Sequence, residues 1–151
     1  MNIHNLRHFL GYSGLIPFAL ASFFAMSDRT LFGQNPLSVI ISYSAVILAF
    51  LTGALWGTGL KLIDSAVSRS MLIISNLIAL LAWMSVSLNI EDYSLALGML
   101  MFGYIVVLAV EIHCYCSSMV DRDRSYIILR TMLTSIVLTI HLILILFYGR
   151  E

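Results

Sequence analysis

Charge is scarce in this chain. Only 11% of its 151 residues are Asp, Glu, Lys or Arg, and eight basic side chains face eight acidic ones. Soluble domains carry about 25%. A zero balance leaves no basic surface for nucleic acid and no acidic tail for a basic partner. Proline occurs only at Pro17 and Pro36, so no Pro-rich linker divides the chain. The two cysteines, Cys114 and Cys116, stand two residues apart. On a helix they point to nearly opposite faces, which argues against a disulfide between them, and they read as small apolar side chains. There is no nucleophile motif, Gly-rich phosphate loop, zinc-ligand spacing or pair of catalytic carboxylates. The connectors are under about a dozen residues, too short for a soluble catalytic module. The expectation is a protein that is not an enzyme and holds no cofactor or metal.

What is present is apolar surface. Hydrophobic residues make up 60% of the chain, with a mean hydropathy of +0.98. A soluble fold of this size leaves too much surface exposed to hide that fraction, so the bilayer is the solvent it fits. The charges cluster, and the runs between them approach the roughly 20 residues that cross a hydrocarbon core. Five spans are expected, at 9–26, 37–60, 70–88, 93–116 and 126–148. No ten-residue alternation supports a membrane barrel. The fold class is an all-α integral membrane protein, a single domain over 1–151, with sequential antiparallel neighbours in one bundle. Arg7 followed by an apolar run and Ala19-Leu20-Ala21 loosely imitates a cleaved secretory signal. Four further spans, and packing features at Gly14 and Pro17, favour a retained first helix.

With five crossings, Arg7, Lys61, Arg69, Arg122, Arg124 and Arg130 fall on one side, against Arg29 and Arg150 on the other. Basic loops stay cytoplasmic, which places the N-terminus inside and the C-terminus in the periplasm.

Four features stand out within the spans. Ala45, Ala49, Gly53 and Gly57, flanked by Trp56, recur every four residues and form a smooth strip along the second span. Small residues let helices approach closely in lipid. The simpler reading makes this the central helix, gripped by its neighbours; the alternative makes it a dock for a partner subunit. Pro17 removes a backbone donor inside the first span, so a kink near Ser13 to Pro17 is expected. Glu111 lies roughly 9 Å inside the fourth span, and Arg130 roughly 5–6 Å inside the fifth. Their depths match on adjacent helices, and a buried carboxylate requires a partner. Tyr115, four residues on from Glu111, is expected to donate to it. The pair is either an internal clasp or a gate facing a cytoplasmic vestibule. Finally, His113 and His141 differ in depth by about 15 Å, too far to ligate one haem. A metal site from Glu111, His113 and Cys114 lacks converging ligands. His141 reads as an interhelical hydrogen-bonding residue, and Asn76 adds polar content to the third span.

The stretch Leu10-Gly11-Tyr12-Ser13-Gly14-Leu15-Ile16-Pro17-Phe18 resembles the opening of the domain of unknown function 3429 family, small bacterial and mitochondrial inner-membrane proteins that include the transmembrane protein 69-like proteins. The run from Tyr43 to Gly57, Asn76-Leu77-Ile78-Ala79-Leu80-Leu81-Ala82-Trp83 and Leu129-Arg130-Thr131-Met132-Leu133-Thr134 extend the resemblance over most of the chain, in order. Where the family often has a Pro and a Trp-Tyr pair before the last helix, this chain has Ser125-Tyr126-Ile127. The resemblance implies a bacterial inner membrane and no established activity. Two function classes follow. One is a non-catalytic accessory or scaffold protein, with membrane lipids and an integral membrane partner or a second copy of itself as partners. The other is a small oligomeric transporter or channel using Glu111 and Arg130. A dry core with an exposed packing strip favours the first; a continuous polar path from Glu111 toward His141 favours the second.

Overall fold

The computed structural model describes residues 3–27, 29–31, 33–62, 66–88, 92–117 and 123–148. The loop residues Asp28, Asp64, Asn89, Glu91, Asp121, Arg122 and Arg150 lie outside them. The described residues form six helices: α1 (Ile3–Ser13), α2 (Ile16–Met26), α3 (Pro36–Lys61), α4 (Ala66–Leu88), α5 (Tyr93–Cys116) and α6 (Arg124–Tyr148). No strand occurs among them; Leu31 and Gln34 make an isolated bridge in the α2–α3 connection. Five segments are long and apolar enough to cross a membrane, with α1 and α2 together making the first. The first span therefore starts before the expected Phe9, and it breaks where a kink was expected.

The break has a local cause. Pro17 sits in the first turn of α2, where its missing N–H would have no intrahelical partner in any case. The chain turns through Gly14 and Leu15, and the Tyr43 hydroxyl donates to the Gly14 carbonyl at 3.0 Å. The starts of α3 and α5 are capped. Asn35 Oδ1 accepts from Leu37 N at 2.9 Å ahead of Pro36, and Asp92 Oδ1 accepts from Leu95 N at 3.0 Å.

From α2 onward each helix packs on its neighbour in sequence, α3 also packs on α5, and α6 closes the bundle against α1 and α2. The core joins Phe18 of α2, Ile41 and Leu48 of α3, Leu100 and Val107 of α5, and Leu144 of α6. The outer faces carry large apolar side chains such as Phe9, Phe50 and Trp83, as a surface in contact with lipid tails requires.

The closest helix approaches do not occur at the expected strip. Ala45 is buried, but Ala49, Gly53 and Trp56 are exposed and Gly57 is only partly covered. A Cβ built at Gly53 or at Gly57 would meet nothing within 4 Å. The buried face of α3 is instead Leu37, Ile40, Ile41, Ser44, Ala45, Leu48, Thr52, Leu55 and Gly59. The strip drifts off that face because small residues every four positions precess around a helix of 3.6 residues per turn. Glycines that do admit a neighbouring helix include Gly59, whose Cβ would lie 3.2 Å from Met71 Cβ, and Gly103, whose Cβ would lie 2.5 Å from Leu48 Cδ2. Leu48 is fully buried and has little room to swing aside. Gly103→Leu is therefore expected to lower unfolding stability in detergent by several kcal/mol or prevent folding, since overpacking alone costs about 1–3 kcal/mol. Gly53→Leu should stay within about 0.5 kcal/mol of the parent. Thermal unfolding of the purified variants checks both.

Candidate functional site

Two polar clusters lie inside the bundle. The first is at the end where α1 and α6 begin. Arg130 Nε donates to Glu111 Oε2 at 2.9 Å, and both side chains are at least nine-tenths buried. The second carboxylate oxygen accepts from Tyr126, whose hydroxyl lies 3.0 Å from Glu111 Oε1. The expected donor was Tyr115. Tyr126 fills that role because it precedes Arg130 by one helical turn, which puts both donors on the face of α6 turned toward Glu111. A charged donor and a neutral one thus satisfy both oxygens of a carboxylate that would be costly to bury alone.

The cluster continues outward. The Arg7 guanidinium lies 5.5 Å over the Tyr126 ring, and Arg7 Nη2 is 3.2 Å from Asp123 Oδ2. Asp123 Oδ1 accepts from Ser125 N at 3.1 Å at the start of α6, and His8 Nε2 lies 3.1 Å from Ser125 Oγ.

The second cluster sits mid-bundle on α3, α5 and α6. His141 is fully buried. Its Nδ1 is 2.7 Å from the Val137 carbonyl, which can only accept, so Nδ1 carries the proton. In the neutral ring Nε2 then accepts from Ser44 Oγ, 3.0 Å away. The Tyr104 hydroxyl donates to the Ser44 carbonyl at 2.9 Å. The Phe18 ring lies 6.0 Å from the imidazole. Ser44 thus joins α3 to α5 through its carbonyl and to α6 through its hydroxyl, and Phe18 brings α2 against the imidazole.

Between the clusters lie Val107, Val137 and one buried hydroxyl, that of Thr134. Val107 lies between Glu111 and Tyr104 on the buried face of α5. On α6, Thr134 and Val137 lie between Arg130 and His141, all of them buried. Other polar side chains satisfy themselves locally. Thr52 bonds the Ala49 carbonyl, Ser85 that of Ala82, Thr131 that of Ile127 and Thr139 that of Ser135. Asn76 is exposed, and its amide donates to Leu72 O at 2.9 Å on its own helix. Such back-bonding silences a polar group in lipid and leaves it unavailable to a path.

The remaining candidates are dispersed. His113 is exposed and lines an open groove of about 310 Å³ between α4 and α5 with Met71, Ile74, Val110 and Cys114, away from His141. Cys114 is buried with Sγ 3.8 Å from Met71 Sδ; Cys116 is exposed, and neither is in a disulfide. At the other end of the bundle, Asn35 Nδ2 donates to the Tyr93 hydroxyl at 3.2 Å and Tyr148 donates to the Ala25 carbonyl. Sequence reasoning missed Tyr126, Ser44 and Tyr104. Tyr126 carried a signal, its four-residue spacing from Arg130; Ser44 and Tyr104 carried none beyond being polar in mid-span.

Five apolar spans joined by very short connectors define a multi-pass helical membrane protein. The chain belongs to the family described as Protein of unknown function (DUF3429), whose sequence profile matches residues 3–146. No curated protein and no solved structure matches it.

Removing one member of the buried pair should cost more than removing both. Arg130→Leu alone is expected to lose about 3–5 kcal/mol, and Glu111→Leu with Arg130→Leu to recover most of it. Tyr126→Phe should cost about 1 kcal/mol, and Tyr115→Phe nearly nothing. Ser44→Ala should cost about 0.6–1.7 kcal/mol, the range for interhelical hydrogen bonds in lipid. Equilibrium unfolding in mixed micelles reads all of these.

Proposed function

We propose that this protein is a non-catalytic accessory or scaffold protein of a bacterial inner membrane, with its N-terminus in the cytoplasm and its C-terminus in the periplasm. In this reading it docks a helix of another integral membrane protein on the outer face of α3. One observation carries the proposal: Ala49, Gly53 and Gly57, beside the exposed Trp56, form a flat strip that the bundle itself does not cover. Four-residue spacing of small side chains suits close crossing of helices in lipid, where packing rather than water exclusion drives association. The bulky neighbours Val46, Phe50 and Leu60 are also exposed and would frame an incoming helix.

The transporter alternative has less support. Its polar residues fall into two clusters with Val107, Val137 and the single hydroxyl of Thr134 buried between them, and many of the hydroxyls along the helices bond their own carbonyls. In the accessory reading, Glu111 and Arg130 are a clasp that fixes α5 against α6.

The test is purification from native membranes in mild detergent, followed by mass spectrometry. The parent should bring down another integral membrane protein in stoichiometric amount. Gly53→Leu with Gly57→Leu should lose it while keeping the parent's unfolding temperature. Recovery of only this chain from the parent, or equal recovery of the partner by both proteins, would defeat the docking assignment.

A further inference from the structure

The two halves of the first span are held in different ways. α2 buries Phe18, Ala21 and Ala25 in the core. In α1, no side chain from residue 5 to residue 13 is fully buried. Its inward positions, Arg7, His8 and Gly11, follow one helical face. Gly11 lets that face approach α6: a Cβ there would lie 3.0 Å from Leu133 Cδ1. Among the described residues polar contacts add to this hold: Arg7 to Asp123 at 3.2 Å, Arg7 over Tyr126 at 5.5 Å and His8 to Ser125 at 3.1 Å. All three of those partners lie in the first turn of α6 or at its cap.

We propose that α1 is a hinged latch, closed over the Glu111–Arg130 cluster by Arg7 and His8 and able to swing away at Gly14–Leu15. The hinge sits where the helical ladder is already interrupted. The Tyr43 hydroxyl holds the Gly14 carbonyl from α3, so the pivot stays anchored while α1 moves. Arg7 covers the ring of Tyr126, and the hydroxyl of that ring bonds Glu111. Opening α1 therefore uncovers Tyr126, whose hydroxyl bonds Glu111. A partly exposed ion pair, a single hydrogen bond and a cation–π contact are each weak, whereas the buried side chains of α2 resist separation. The closed state is thus favoured by a margin small enough for a partner or a lipid headgroup competing for Arg7 to reverse.

Pulsed electron resonance on the full chain in lipid nanodiscs tests this. Spin labels go at Leu6 on α1 and Met132 on α6, both exposed, with Cys114→Ala and Cys116→Ser removing the native thiols. A second labelled pair at Val46 and Leu142, also exposed, reports whether the bundle is intact. With Arg7 present the first pair should show one dominant distance. Arg7→Gln should raise the long-distance fraction about two- to five-fold, with the second pair unchanged, and Arg7→Lys should stay near the parent. An unchanged distribution in Arg7→Gln overturns the latch, and so does movement of both label pairs together. A Lys variant as open as the Gln variant overturns the role given to the Arg7–Asp123 pair.

Discussion

A peptide group in hydrocarbon has no water to turn to, and each one left unpaired costs several kcal/mol. That constraint explains the spans, and it also explains where the spans fail to be regular. Pro17 cannot donate, and a proline inside an otherwise helical span must leave a carbonyl in need of a partner. Here the helix restarts, so that Pro17 falls in the first turn of α2, where no ladder bond is expected of it, and Tyr43 on α3 supplies a donor to the Gly14 carbonyl beside the break. The interruption is therefore a contact between helices as well as a defect within one.

The same rule governs side chains, and the chain meets it in two ways. Many hydroxyls fold back on the preceding turn, as Thr58 does to the Ala54 carbonyl and the buried Thr52 and Ser85 do to those of Ala49 and Ala82. Others bond across helices, as Ser68 does to the Gly59 carbonyl at 2.8 Å. Gly59 thus serves the α3–α4 contact twice, by lacking a Cβ where Met71 approaches and by offering its carbonyl to Ser68. Glu111 and His141 are the inward groups with most to lose, and each has a partner on at least two of its polar sites. Satisfaction, rather than reactivity, is the common property of these clusters.

Hydropathy revealed the spans because it integrates over about 20 residues, and depth along a helix paired Glu111 with Arg130 because rise per residue is fixed. Rotation about the helix axis was harder to read. The α3 strip was visible as spacing, yet spacing states only that a face is smooth, not which neighbour uses it. In a soluble helix the polar side would have settled the question; α3 is apolar all round, so its buried face had to come from the packing of Leu48 against Gly103 and of Gly59 against Met71. Tyr115 and Tyr126 were misassigned for the same reason. Both lie within reach of Glu111 by depth, and only the mutual rotation of α5 and α6 selects Tyr126.

Seen this way, α1 is the helix least governed by the hydrocarbon constraint. It carries Arg7 and His8 on the face turned toward α6, while Leu6, Phe9 and Leu10 remain exposed. A helix that buries little must be placed by polar contacts, and polar contacts near the end of a bundle compete with water and headgroups. α2, in the same span, has no such competition, because Phe18 packs on Tyr43 with ring centroids 5.0 Å apart and also faces His141. The break between them thus divides the span into a half fixed by packing and a half fixed by charge. Of the two, only the half fixed by charge has a position that salt, lipid composition or a partner can shift without unpacking the core.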